Sequence, residues 1–235
     1  MKRALFVFAV LALAGCSKKA PECEAMIKVI NPAAEKVKAA GGKGERPEDH
    51  IKAMNDIAAA SDGAASGLAK VELTVPELKK ISTDYQAMAK SIATAARDLA
   101  DAVKTSDAAG KQMEKTAKDY ELAVGKHAQA CEEAKDPVDQ EGCKRFAEGV
   151  GKLPPDASKT AEVEKVAAEL DQVAWKGDAI KAAAKAVVAT MRANNKVMVD
   201  LGAAQNKAEA AEKSFGTASE NETKIVDQLN KICHE

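Results

Sequence analysis

Large aromatic side chains are scarce in this 235-residue chain, which contains one Trp, two Tyr and four Phe. Because such side chains fill much of the volume in ordinary globular cores, their scarcity excludes a thick core built around rings. Charge of one sign is also missing, since 35 basic and 36 acidic residues leave a formal net charge of -1. This balance provides no long-range field to attract a polyanion. The sequence therefore predicts no nucleic-acid partner.

Histidine is scarce as well, and the three present are His50, His127 and His234. None stands in a Glu-x-x-His pair or in a His-Glu-x-x-His zinc motif. The chain also lacks a haem-attaching Cys-x-x-Cys-His, a phosphate-binding glycine loop and a Gly-x-Ser-x-Gly elbow. The best metal candidate is the pair His127 and Cys131, four residues apart, which a disulfide at Cys131 would remove. We therefore predict no enzyme activity, no catalytic residue, no cofactor and no metal site.

Alanine, leucine, lysine and glutamate are abundant in a sequence that is 46% hydrophobic and 30% charged. This composition favours helix, and alanine on packing faces lets helices approach closely while burying little area per residue. Basic and acidic residues are interleaved, which is typical of solvated helix faces. We expect an all-α protein with a thin core, folded as an antiparallel up-down helical bundle.

The amino terminus has the features of a secretory signal. Lys2 and Arg3 precede an apolar stretch, 4–14, that is too short to span a bilayer. The stretch ends in Leu13-Ala14-Gly15-Cys16 and resembles the lipobox of bacterial lipoproteins at each of its four positions. The resemblance implies cleavage before Cys16, a diacylglyceryl thioether on its sulfur and acylation of the new amino terminus, which together give stable membrane anchoring.

The residue after the lipid site indicates which membrane holds the protein. Ser17 stands there rather than aspartate, and by resemblance to enterobacterial sorting rules this favours the outer membrane over the inner one, with the chain facing the periplasm or the cell surface. Residues 1–15 are accordingly interpreted as the signal peptide and residues 16–20 as a lipidated tether.

Four further cysteines, Cys23, Cys131, Cys143 and Cys233, follow the lipid site. An even number of cysteines in an oxidising compartment predicts two disulfides. Each closed loop typically contributes ~2 to 4 kcal/mol, which is a large part of the stability of a thin-cored bundle. The sequence thus predicts that Cys16 anchors the chain and that the other four cysteines stabilise its fold.

A weak internal repeat bears on how these cysteines pair. Residues 98–131 align with residues 200–233, and Leu99 precedes Cys131 by the same interval as Leu201 precedes Cys233. Helical periodicity alone also produces such matches. Duplication and coincidence both stay open.

Two disulfide pairings follow from these alternatives. A duplication predicts two tandem helical-hairpin units, with Cys23 bonded to Cys131 and Cys143 bonded to Cys233. A single bundle tied at its ends predicts Cys23 bonded to Cys233 and Cys131 bonded to Cys143. The loop between Cys131 and Cys143 is short and contains an Asp-Pro turn, so it favours the second pairing by keeping these two sulfurs close.

Two helices of moderate length are predicted after the tether. The first follows Pro21, is expected to kink at Pro32, which has no backbone donor, and stops at the glycines of 41–44. The second begins near Pro47, and the stretch Ser-Asp-Gly-Ala-Ala-Ser-Gly at 61–67 weakens its later part.

The clearest helix start is at Thr74, where a threonine N-cap, an early proline and Glu77 form a capping box. Apolar residues then recur at steps of three and four. They are Leu78, Ile81, Tyr85, Met88, Ile92, Ala95, Leu99, Val103, Met113, Ala117, Tyr120 and Val124. This stripe fits either one helix of about 59 residues from 75 to 133 or two helices with a turn at 104–110.

The chain is divided into three segments after the tether. We predict the first half of the bundle at 21–135, a connecting segment with a short helix at 136–157, and the second half at 158–235. Ser219 and Glu222 form another capping box, which places the start of a last helix there.

Three stretches of the mature chain resemble uncharacterised helical lipoproteins of the myxobacterial type. They are CEAMIKVINPAAEKV at 23–37, LTVPELKKISTDYQAMAKSIATAARDLADAV at 73–103, and IVDQLNKIC at 225–233. The resemblance spans most of the mature chain and implies no known activity. The pair Cys131 and Cys143 departs from the single cysteine bracket of that group.

The predicted function is that of a membrane-anchored envelope lipoprotein acting as a structural or protein-interaction module without catalysis. Its partners would be the lipid bilayer, through the acylated Cys16, and an envelope protein. A cell-wall spacer resembling the murein-linked lipoprotein is disfavoured, because that family attaches through a terminal lysine and this chain ends Cys233-His234-Glu235.

An alternative prediction is a periplasmic binding or chaperone-like module for apolar ligands or unfolded chains. Flexible methionines suit such a site, and the candidates are Met88, Met113, Met191 and Met198. Tyr85, Tyr120 and Trp175 stand at helical positions where an aromatic side chain is expected to belong to the core rather than to a ligand pocket.

Overall fold

The structure is a computed structural model that describes residues 19–41, 46–156 and 158–234. These residues contain six α-helices and no strand. The helices are α1 (Ala20–Ala40), α2 (Pro47–Leu68), α3 (Pro76–Glu132), α4 (Pro137–Val150), α5 (Thr160–Asp171) and α6 (Asp178–His234). The predicted all-α helical bundle closed by two disulfides is confirmed. The signal peptide 1–15 and the lipid site Cys16 lie outside the described residues.

Two compact units make up the chain. Unit 1 consists of Met1–Lys104 together with Asn206–Glu235, and unit 2 consists of Thr105–Gln205. Helices α1 and α2 belong to unit 1, α4 and α5 belong to unit 2, and α3 and α6 contribute residues to both. This division cuts across the sequence-based segments, which were consecutive along the chain.

Helices α1 and α2 pack against each other in unit 1. Pro32, where a kink is predicted, lies inside α1, which runs through that residue to Ala40. Its buried residues recur at steps of three and four and are Cys23, Met26, Ile27, Ile30, Ala33, Ala34, Val37 and Ala40. Helix α2 likewise runs through its glycine-rich stretch. A Cβ atom at Gly67 would lie 2.7 Å from Val29 Cγ1, so the glycine permits the close approach of the two helices.

The first turn of α3 is capped by a side chain from α1, and the predicted capping box at Thr74 is wrong. The helix begins two residues later, at Pro76. The Thr74 hydroxyl donates to Glu22 Oε1, and the backbone N–H groups of Thr74 and Val75 donate to the two carboxylate oxygens of Glu22 at 2.9 and 3.1 Å. A carboxylate here satisfies orphan donors and interacts favourably with the helix dipole.

Removal of this cap is expected to weaken unit 1. Glu22→Ala should lower the urea midpoint at pH 7 more than Glu24→Ala, because Glu24 pairs only with Lys28 on an exposed face. The hydrogen bond from the Thr74 hydroxyl, followed by that from its backbone N–H, holds the pKa of Glu22 below its ordinary value of 4.5.

The stabilisation by Glu22 is therefore present above that ordinary pKa and lost as the pH falls through the lower folded-state pKa. The urea midpoints of wild type and Glu22→Ala should converge when the measurement is repeated at acid pH. Equal midpoints for the Glu22 and Glu24 variants at pH 7 would contradict the capping role.

Of the two arrangements proposed for the central stripe, the structure contains the single helix. Helix α3 is 57 residues long and has no turn at 104–110. The stripe predicted beyond residue 104 is wrong at Met113, Ala117 and Val124, which are exposed, whereas Tyr120 packs partly buried against the core of unit 2. The buried residues of this part are Ala109, Thr116, Ala123 and His127.

Buried residues recur every seven positions along both long helices. In α3 they are Ile81, Met88, Ala95, Ala102, Ala109, Thr116 and Ala123, and in α6 they are Val197, Ala204, Ala211, Ala218 and Ile225. A seven-residue period is typical of coiled-coil packing. Alanine at most of these positions leaves little side-chain volume between the helices, which is the thin core that the composition predicted.

Helix α6 is also continuous over 57 residues, from Asp178 to His234. The capping box predicted at Ser219 and Glu222 is therefore wrong, because both residues lie in the interior of this helix. Glu222 is buried there instead of pairing with a helix start.

Candidate functional site

The four cysteines after the lipid site form two disulfides, Cys23–Cys233 and Cys131–Cys143. This is the pairing expected of a single bundle tied at its ends. The pairing expected of a tandem duplication is not formed. Cys23 lies in the first turn of α1 and Cys233 in the last turn of α6, and both are buried in the core of unit 1.

The second disulfide lies in unit 2 beside an aromatic cluster. His127 of α3 contacts Phe146 of α4 at a ring-centroid distance of 4.3 Å, and Trp175 contacts both rings at 5.5 and 6.0 Å. The Sγ atom of Cys131 lies 3.7 Å from Nε2 and 3.9 Å from Nδ1 of His127.

Burial of His127 and the disulfide at Cys131 restrict the reactions that this aromatic cluster can support. Burial lowers the pKa of His127, so the imidazole is neutral at neutral pH. Cys131 is oxidised and offers no thiolate, which removes the pair of metal ligands considered from the sequence. No group of three or more His, Cys, Asp or Glu side chains suited to a metal ion occurs in the part of the chain that the structure describes.

The start of α4 fixes the turn before α6 in unit 2. Asp139 is buried and accepts hydrogen bonds from the backbone N–H groups of Lys176 at 2.7 Å and Gly177 at 3.1 Å. A Cβ atom at Gly142 would lie 2.9 Å from Trp175 Cζ3 and 3.0 Å from the Ala174 carbonyl oxygen. The glycine is therefore required for this close packing, and sequence reasoning missed both it and Asp139.

A small polar cavity lies in the core of unit 1. It has a volume of about 20 Å³ and is lined by Glu222, Tyr85 and Ser61 among apolar side chains. Glu222 is 6% exposed and Tyr85 is 4% exposed. Burial raises the pKa of Glu222 to about 7, and burial together with the nearby Glu222 charge raises the pKa of Tyr85.

The structure separates the residues proposed for an apolar ligand site. Tyr85 and Met88 are buried in unit 1, whereas Tyr120, Trp175 and the other three methionines belong to unit 2. Within unit 2, Met191 is buried and Met113 is exposed. Tyr85 is a core residue as predicted, and Tyr120 and Trp175 pack against the core of unit 2. The four methionines therefore do not line one pocket within either unit.

Large apolar side chains that remain exposed are concentrated in unit 2. Within the described residues they are Met113, Leu122, Val124, Val138 and Val199, of which Leu122 is the most exposed at 59%. They lie on α3, α4 and α6. Unit 1 presents no comparably exposed large apolar side chain in its described part.

None of the helices in the described ranges is both long and apolar enough to cross a bilayer. No family model matches the chain, and neither the curated proteins nor the solved structures include a significant match.

Proposed function

We propose that this protein is a lipid-anchored lipoprotein of the bacterial envelope that acts as a structural or protein-interaction module without catalysis. The observation that carries the proposal is the spacing between the lipobox cysteine and the first disulfide. Cys16 precedes Cys23 by seven positions, and Cys23 is bonded to the last turn of α6. An acyl anchor at Cys16 would thus pull on a covalently closed unit rather than on a helix end that can fray.

The proposed compartment is consistent with the cysteine chemistry. Two disulfides formed from four cysteines are typical of proteins exported to an oxidising environment, which is where a lipobox signal delivers its product. Ser17 favours the outer membrane, facing the periplasm or the cell surface. The bilayer, reached through acylated Cys16, is then one partner.

The second partner is proposed to be another envelope protein that docks on unit 2. The support for this choice is the concentration of exposed Leu122, Val138 and Val199 in that unit, because exposed apolar side chains are enriched where proteins bind one another. We favour protein docking over the binding of apolar ligands, since the two larger hollows of unit 1, about 740 and 750 Å³ in volume, are open surface grooves that carry charged side chains. The remaining cavity, about 20 Å³ in volume, is of the size of one water molecule.

Photo-crosslinking in the cells of origin tests this function. The full chain carries a photoreactive amino acid in place of Leu122 or Val199, and matched controls carry it in place of Lys52 or Lys90, which are exposed in unit 1. We expect adducts with one envelope protein from the unit 2 positions and several-fold weaker adducts from the controls. Mass spectrometry of the same preparation should find the diacylglyceryl and acyl groups on Cys16.

Two results would contradict the proposal. An unmodified Cys16 would remove the membrane anchor, whatever the crosslinks show. A lipidated chain without adducts at Leu122 or Val199, or with equal adducts at all four positions, would remove the interaction role of unit 2.

A further inference from the structure

Glu222 is an isolated carboxyl group in the core of unit 1. It lines the small cavity together with Tyr85 and Ser61, and the remaining wall is made of alanine, valine, isoleucine and methionine residues. The cavity has about the volume that a single water molecule requires. An ionised carboxylate in such a place is costly unless an opposite charge or several donors compensate it.

Within the described part of the chain, no opposite charge lines the cavity beside Glu222. The cavity is lined by Ala33, Ala34 and Val37 from α1, by Ser61 and Ala64 from α2, and by Tyr85, Met88, Ala89 and Ile92 from α3. Tyr85 is the only other titratable group in this lining, and its phenol becomes still harder to ionise beside the carboxylate. Tyr85 and Ser61 are therefore the other polar residues among those that line the cavity with Glu222.

A surface groove lies on the other side of one wall residue. Met88 lines both the cavity and a groove between α3 and α6 of unit 1. The charged groups of this groove are Lys80, Asp84, Lys213 and Lys224. Across the groove the Ser91 and Ser214 hydroxyl groups are 3.4 Å apart. The flexible Met88 side chain is thus a wall residue shared by the cavity and the solvent-filled groove.

We propose that Glu222 and its cavity make unit 1 a pH-responsive bundle, which is closed when the carboxyl is protonated and opens along the α3–α6 groove when it is ionised. Opening displaces Met88 and exposes the apolar core beside it. The closed and open forms are thus two states of the same helices, and protonation of one buried group selects between them.

The direction of the pH dependence follows from linkage. Burial raises the pKa of Glu222 from 4.5 to about 7, so the unfolded chain releases this proton at a lower pH than the folded chain. The stabilisation by the protonated carboxyl is complete below pH 4.5 and is lost as the pH rises through the folded-state value. The equilibrium constant for opening should then rise about 70-fold between pH 5 and pH 8.

Amide hydrogen exchange of the full, disulfide-bonded chain at pH 5 and pH 8 tests the proposal. After correction for intrinsic exchange rates, peptides covering 85–95 and 218–229 in unit 1 should lose protection at pH 8 in wild type. Peptides covering 180–191 in unit 2 serve as an internal reference. Glu222→Gln, a neutral isostere, should keep the unit 1 protection at both pH values, and the control Glu220→Gln, two positions away and exposed, should behave as wild type.

A direct titration covers the case in which Glu222→Gln does not fold. In wild type labelled with ¹³C-glutamate, the Glu222 carboxyl resonance, assigned as the one absent from a Glu222→Asp sample, should titrate near neutral pH. A Glu222 resonance that titrates below pH 5 would overturn the proposal. So would equal loss of unit 1 protection in wild type and Glu222→Gln, or no loss in wild type.

Discussion

Replacement of both Cys23 and Cys233 by serine is expected to lower the free energy of unfolding by about 5 kcal/mol, the larger of the two disulfide effects in this protein. The bond joins residues separated by 210 positions, and it therefore restricts almost the whole unfolded chain. The bond between Cys131 and Cys143 spans only 12 positions, for which the same loop-entropy relation gives about 3 kcal/mol. We therefore predict that loss of the Cys23–Cys233 bond lowers the free energy of unfolding more than loss of the Cys131–Cys143 bond does.

The thin core makes unit 1 sensitive to this change. Much of its buried surface belongs to alanine, which contributes little apolar area per residue. A loss of about 5 kcal/mol is comparable with the entire stability of many domains. Without the disulfide, the first turn of α1 and the last turn of α6 are helix ends that are no longer bonded to each other, and helix ends fray.

Two spectroscopic signals separate the units in this experiment. The single tryptophan, Trp175, reports on unit 2, whereas far-ultraviolet circular dichroism reports on all helices. In urea, the Cys23→Ser, Cys233→Ser variant should lose part of its helical signal before the fluorescence of Trp175 changes. The Cys131→Ser, Cys143→Ser variant is the control, and in it the fluorescence transition should shift instead. An equal or larger loss in the control would contradict the loop argument.

The elements that could be predicted from sequence are those with local signals. The start of α2 at Pro47 follows from proline, whose backbone preference acts within a few residues. The all-α class follows from composition. The disulfide pairing was narrowed to two alternatives, and the short Asp-Pro loop favoured the one that the structure contains.

The prediction of core residues was wrong in the part of α3 where the buried face lacks large apolar side chains. Beyond residue 104 the stripe was assigned to Met113 and Val124, but α3 buries Ala109, Thr116 and His127 there. The buried residues of α3 keep a seven-residue period along the helix, whereas the predicted stripe lies one position off that period at Val124. Alanine, threonine and histidine give no strong apolar signal, and periodicity therefore followed the larger side chains.

Long-range polar contacts were the other part that sequence could not reveal. Glu22 caps α3 from another helix, and Asp139 binds backbone N–H groups 37 and 38 positions away. Glu222 matched a capping box in sequence but lies in a core. A capping box and a buried carboxyl use the same residue types, and only the neighbours brought by the fold distinguish them.

Leu170→Ala is expected to cost about 2 to 5 kcal/mol, because it leaves a cavity in the core of unit 2. Leu170 is 2% exposed and packs among Phe146, Val166 and Val187. The same substitution at Leu122 is a matched control within the same unit, since that leucine is 59% exposed. Leu122→Ala should change stability by less than about 0.5 kcal/mol.

A second substitution tests whether the packing of α4 on α5 is the cause. Gly149 of α4 faces Leu170, and a Cβ atom there would lie 2.5 Å from Leu170 Cδ2. Alone, Gly149→Ala should destabilise unit 2, because the crowding of a buried leucine, about 1 to 3 kcal/mol, outweighs the better helix propensity of alanine, about 1 kcal/mol. In the Leu170→Ala background the Cδ2 atom of Leu170 is absent, and Gly149→Ala should then stabilise unit 2.

Urea unfolding followed by the fluorescence of Trp175 measures all four forms of this double-mutant cycle. We expect the effects of Leu170→Ala and Gly149→Ala on the free energy of unfolding to be non-additive by about 1 to 3 kcal/mol. The double variant should be more stable than the sum of the two single effects predicts. Additive effects would mean that Gly149 and Leu170 act separately. A coupling of the expected sign would establish that a glycine in α4 is required because of a leucine in α5, a relation between two helices that neither helix shows in its own sequence.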